Sequence, residues 1–142
     1  MTQLTLQQAN RIIEGALAKA REMKLRPLGV VVLDESGHLK AAQREDAASM
    51  FRIDIATGKA WGAVAMGASS RTLAARAKDN PNFFVTLAAT AEGKFLPQTG
   101  AVLIRNASGE LLGAAGASGG TGEEDEAVCI HGIEHAGLVA ET

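Results

Sequence analysis

One short pattern, Ser-Gly-x-Leu, occurs twice in this chain. Ser36-Gly37-His38-Leu39 and Ser108-Gly109-Glu110-Leu111 match in register, and each follows an apolar run that ends in turn-forming residues. Gly29–Leu33 meets Asp34-Glu35-Ser36-Gly37 and returns as His38–Arg44. Ala101–Arg105 meets Asn106-Ala107-Ser108-Gly109 and returns as Glu110–Ala117. Short Val/Ile/Leu runs bounded by Asp, Asn, Ser and Gly are the pattern of strands and tight turns. Two similar hairpins imply two halves of a single antiparallel sheet.

Helical periodicity fills the rest. Thr5-Leu6-Gln7-Gln8 is a capping-box signature, and Leu6, Ala9, Ile13, Ala16, Leu17 and Ala20 then recur at helical spacing. This helix ends near Lys24, before Pro27. Between the hairpins, Ile53, Ala56, Thr57, Ala60, Trp61 and Val64 trace one helix face. Its many Ala and Gly residues make it narrow, so another backbone can pack close. Ser70 caps a second helix, Arg71–Lys78, which stops at Asn80-Pro81. Asn82–Ala91 is a short third segment, and a last helix runs from about Glu123 to Val139. The expected fold is α+β, order α-β-β-α-α-β-β-α with that short helical segment before the third strand. Helices cover an antiparallel sheet, in one domain over residues 1–142.

Composition excludes several function classes. Net charge is −2 with no basic run, and aromatics are 4% of the chain, so nucleic acid is not an expected partner. No apolar run approaches the roughly 18 residues that cross a bilayer. MTQLTLQQAN has no basic and apolar leader pattern. The single cysteine, Cys129, suits a reducing compartment. The expectation is a cytoplasmic protein with no membrane contact.

Gly113–Glu126 reads GAAGASGGTGEEDE. Glycine lets backbone N–H groups approach a ligand, and loop N–H groups entering a helix attract anions. The acidic run Glu123–Glu126 already occupies that favourable position, which disfavours a nucleotide phosphate. The segment is either a tight strand-to-helix connection or a loop that lines a ligand, with Ser118, Gly119, Gly120 and Thr121 as the lining residues. Lys59, set among Ala and Gly, either pairs with Asp125 or holds an anion, or simply snorkels. His131-Gly132-Ile133-Glu134-His135 spells HxxEH, and histidines four apart share a helix face and can share a metal. A zinc hydrolase of the inverted motif needs a further ligand well downstream, and Glu141 is the only acid after His135. The pair serves haem iron or a transition metal, or is a plain surface pair. Cys129 is a soft ligand or a small buried hydrophobe, and His38, next to a turn, is expected to be exposed.

With those pieces in order, the chain resembles the GlcG/HbpS-like haem-binding proteins, including the C-terminal domain of PduO-type adenosyltransferases. The matching stretches are VVLDESGHLKAAQREDA, GKAWGA, SSRTLAARAKDNPNF and GAVLIRNASGELLGAAGASGGTGEEDE, nearly the full length. Before the third strand the chain reads Gln98-Thr99-Gly100-Ala101-Val102-Leu103 where the family usually has a Gly-Gly-Val-Pro-like run. The resemblance implies a profilin-like fold and a homo-oligomer, dimer-based and up to an octamer. It also implies a ligand that is haem or a related anionic small molecule. The family's Arg-x-Asp falls on Arg44 and Asp46, where an arginine fork suits a carboxylate. On this reading Arg44 and Lys59 meet carboxylates, the Ser118–Thr121 loop shapes the pocket and His131 or His135 reaches the iron. The alternative is a cofactor-independent enzyme of carboxylate or aromatic catabolism, with Lys59, Asp46 and Asp125 as acid–base groups. A third reading is a structural or accessory subunit.

Overall fold

The structure, a computed structural model, describes residues 3–142. Thr5 opens helix α1 (Leu6–Glu22) with the expected capping box: its Oγ1 accepts from the Gln8 N–H at 3.0 Å, and Gln8 Oε1 accepts from the Thr5 N–H at 3.0 Å. Strands β1 (Gly29–Asp34) and β2 (Leu39–Arg44) form the first hairpin, and β3 (Ala101–Arg105) and β4 (Leu111–Ser118) the second. Between them lie α2 (Phe51–Met66), α3 (Ser70–Asp79) and α4 (Pro81–Thr90), and α5 (Gly122–His135) follows β4.

The sheet order is β2-β1-β4-β3-β5, every pair antiparallel. The two hairpins join through β1 and β4, with Gly29 opposite Ser118 and Asp34 opposite Gly113. One sheet face carries Val30, Val32, Val102, Ile104 and Ala117 against α1 and α5. The other carries Val31, Leu33, Leu103 and Ala114 beneath Ala56, Ala60 and Ala63 of α2. The central strands are covered on both faces. That is why they read as unbroken apolar runs rather than alternating ones. The α2–β4 contact is especially close, because a Cβ on Gly116 would lie 2.5 Å from the Ala56 carbonyl oxygen.

Two features differ from the sequence reading. Ser69, not Ser70, caps α3, and its side chain accepts from the Thr72 N–H. Ser70 is buried and its Oγ accepts from the Ala101 N–H at 2.7 Å, tying α3 to the sheet. The last helix stops at His135 rather than near Val139. Gly137 adopts φ +78, its N–H bonds the Glu134 carbonyl and the Leu138 N–H bonds the Ile133 carbonyl. This left-handed glycine stop satisfies the helix's last carbonyls. The chain then turns into a fifth strand, β5 (Val139–Glu141), alongside β3.

Candidate functional site

Arg52, Ile55 and Lys59 stand at i, i+3 and i+7 on α2, so they share one helix face. They line an open hollow of about 570 Å³. Leu96, Gln98 and Thr99, from the segment before β3, form a second wall, and Ser118, Gly120 and the start of α5 a third.

Lys59 is only 5% exposed. Gly100 makes room for it: at φ +138, a Cβ there would lie 2.6 Å from Lys59 Nζ. The ammonium donates to Asp125 Oδ2 at 3.1 Å and to the Ala117 carbonyl at 3.0 Å. The other carboxylate oxygen, Oδ1, accepts from the Gly120 N–H at 2.9 Å. Burial pushes the Asp125 carboxyl above its ordinary value, and the opposing pull of Lys59 and the Gly120 N–H does not cancel it. Lys59 is therefore matched in charge and geometry by the protein itself.

Arg52 differs. Its Nη1 donates to Ser118 Oγ at 3.0 Å and its Nε to Ser49 Oγ at 3.1 Å. Both partners are neutral, and Nη2 makes no hydrogen bond to the described residues. Glu123, on the rim, is bound by Arg71 of α3, which also grips Glu126 through Nε and Nη2. Those two carboxylates hold the Arg71 guanidinium above its ordinary value. Arg52 thus carries the positive charge in this hollow that no acid of the chain neutralises.

The structure brings together only part of the expected set. Lys59, Asp125, Ser118 and Gly120 line the hollow. Thr121 instead caps α5: its Oγ1 accepts from the Glu124 N–H, and Glu124 Oε1 accepts from the Thr121 N–H. Gly119 turns towards the strand connection, where a Cβ would lie 2.5 Å from that of Leu28. Arg44 and Asp46 do not share the hollow. They line a separate depression of about 430 Å³ with Arg21, Pro27 and Glu45. Arg44 and Ser118 flank Gly29 in the sheet, but the first turn of α2 presses onto that glycine. A Cβ on Gly29 would lie 2.9 Å from Ile53 Cδ1 and 3.2 Å from Arg52 Cβ, so α2 stands between the two places. Arg44 Nη1 donates to the Ala48 carbonyl at 2.6 Å.

His131 and His135 are exposed, with rings 6.4 Å apart between centroids. His135 Nε2 lies 3.6 Å from Glu14 Oε1. At about 1.5 Å rise per residue, His131 is roughly 9 Å along α5 from Asp125, the last residue of that helix to line the hollow. Neither histidine lines it. Among the described residues no group of three or more His, Cys, Asp and Glu is placed to hold a metal ion. Cys129 is buried, and burial raises its thiol well above the ordinary range, so it sits as a small hydrophobe. Sequence reading passed over Arg52, although its seven-residue spacing from Lys59 was the available signal.

Comparison with known proteins gives the following. The PduOC:heme complex superposes with a TM-score of 0.87 at 23% identity, covering 99% of this chain and 100% of that one. Protein ORFY of Klebsiella pneumoniae gives 0.86 at 23% identity, covering 96% and 93%. A double mutant of HbpS from Streptomyces reticuli gives 0.80 at 27% identity, covering 94% and 87%. No curated protein sequence matches the chain. The family model described as haem degrading protein HbpS-like matches residues 4–134, nearly the whole chain, and the protein belongs to that family.

Proposed function

We propose that this protein binds a small anionic ligand, haem or a related carboxylate, in the hollow between α2, α5 and the segment before β3. One observation carries the reading: the free Nη2 edge of Arg52 faces an open hollow in which the other cation, Lys59, is already paired. An arginine edge next to a hydroxyl is a carboxylate partner. The haem-bound relative supports haem as the ligand. The donors present suit its propionates. The lining holds no His, Cys or Met, so this hollow offers haem iron no imidazole or sulfur ligand, and the Lys59 amine is held by Asp125 and the Ala117 carbonyl. Haem, when bound, supplies the iron; the chain's own residues here hold carboxylates. Titration with haemin, followed at the Soret band, tests the reading. Arg52→Ala is expected to weaken binding about 10- to 100-fold, the span of a hydrogen bond to a charged group. An unchanged band in the wild-type protein removes haem, and equal affinity in the variant removes Arg52.

The buried Lys59–Asp125 pair on the same wall favours a second reading, an enzyme of carboxylate or aromatic catabolism in which this pair transfers protons. Asp46, in the other depression, would take no part. A pH–rate profile unaltered by Asp125→Asn would remove this reading.

We also infer a cytoplasmic homo-oligomer, dimer-based and up to an octamer. No helix among the described residues is long and apolar enough to cross a membrane. α4 exposes Phe83 and Val85 by 50% and 72%, and Pro81–Ala91 carries no charged residue. Such a face suits a second copy of the chain. A monomer mass by light scattering, unchanged by Val85→Glu, would remove the oligomer.

A further inference from the structure

The opposite flank of α2 borders a second hollow, of about 590 Å³, whose polar groups are disjoint from those of the first. Trp61 forms its apolar wall. The β1–β2 turn lies edge-on to the indole: Gly37 adopts φ +80, and a Cβ there would lie 3.2 Å from Trp61 Cδ1. Gly93 also borders the hollow, at a point where an added Cβ would meet nothing within 4 Å. Leu96 divides the two hollows. Its N–H bonds the Gly58 carbonyl at 3.3 Å and its side chain lies over that glycine.

Three ionisable groups stand at the rim: Lys94, His38 and Asp54, all exposed. Lys94 Nζ lies 6.0 Å from the centroid of the indole, the outer limit of a cation–π contact. An exposed lysine at that range is not locked in place and can turn to a ligand. An aromatic wall stacks flat rings, and offset stacking adds to the area buried. A few convergent polar groups around such a wall are the usual form of a small-molecule site.

We propose that the Trp61–Lys94–His38 hollow is a second ligand site, which takes a flat aromatic ring system carrying an acidic group. The ring lies against Trp61, the acidic group meets Lys94, and His38 and Asp54 meet polar edges of the ring. A tetrapyrrole dicarboxylate and a small aromatic acid share this chemistry. The proposal does not depend on Arg52 or Lys59.

Trp61 is the only tryptophan, so ¹H–¹⁵N spectra contain one indole N–H cross-peak, from a nitrogen that lies beside the Gly37 turn of this hollow. Trp61 also borders the apolar depression of Met66, Leu87 and Phe95, and the Lys94→Glu arm tells the two apart. The probes are 2-naphthoate, metal-free protoporphyrin IX and the uncharged 2-naphthalenemethanol. The indole peak is expected to shift saturably with at least one of the two acids. A response to protoporphyrin alone identifies the tetrapyrrole source, and a response to naphthoate admits small aromatic acids. Lys94→Glu, on the surface, is expected to weaken the acid at least about fivefold and leave 2-naphthalenemethanol unchanged. An indole peak that stays still with both acids overturns the site. So does an acid affinity untouched by Lys94→Glu, or shifts confined to Gly120 and Gly122. Arg52→Ala in parallel separates the two hollows: loss of haemin binding there with the indole response intact leaves this proposal standing.

Discussion

Lys59 and Asp125 are tolerated in the interior only as a pair. Removing one partner of a buried ion pair leaves an uncompensated charge and costs about 3–5 kcal/mol. Lys59→Met is therefore expected to lower the unfolding free energy by about that amount in urea titration. The double variant Lys59→Met/Asp125→Leu is expected to lose less than the sum of the two single losses. Equal additive losses would show that the pair is not coupled. The pH dependence has a definite sign. Burial raises Asp125 above 3.8 in the folded state, so the folded protein holds this proton more tightly than the unfolded chain does. Its contribution to stability is present below 3.8 and is lost as pH rises through the folded value. The stability of wild type relative to Asp125→Asn should fall over that window, and a rise would refute the assignment. The Lys59–Asp125 pairing was legible as one of three readings, beside an anion held by Lys59 and a snorkelling side chain, because small neighbours show that a lysine is hemmed in but not what faces it. Arg44 was legible as an arginine near the loop. That it is fenced off depends on Gly29 drawing the first turn of α2 onto the sheet, a contact between residues 23 positions apart that no local pattern encodes.

At the scale of elements, both hairpins, the α1 capping box and the middle helices were readable because turn chemistry and 3.6-residue periodicity are local. The C-terminal strand was not, since three residues carry too little pattern and Gly137 was read through as helix. Two glycines of this region test different physics. A Cβ on Gly137 meets nothing within 4 Å, so Gly137→Ala carries only the left-handed backbone penalty of about 1–2 kcal/mol. A Cβ on Gly132 would run into the Ile12 carbonyl oxygen of α1. Gly132→Ala must therefore separate α1 from α5 and should lower the melting temperature more than Gly137→Ala does. The reverse order would mean that α1 yields easily.

At the scale of the whole molecule, the joining of the hairpins through β1 and β4 was not legible, because strand order depends on which faces the helices cover. This arrangement predicts a gradient of local stability. Amides of β1 and β4, covered on both faces, are expected to exchange with deuterium slowest, and those of α4, with exposed Phe83 and Val85, fastest among the helices. Uniform protection would contradict it. The seating of α2 on Gly116 has a consequence for any bound molecule. Main chain rests on main chain there, with no long side chain between to rotate aside, so this helix acts as a fixed wall to both hollows. Leu96 is the residue that edges both cavities, so a guest on either side of it presses on the same short strip before β3.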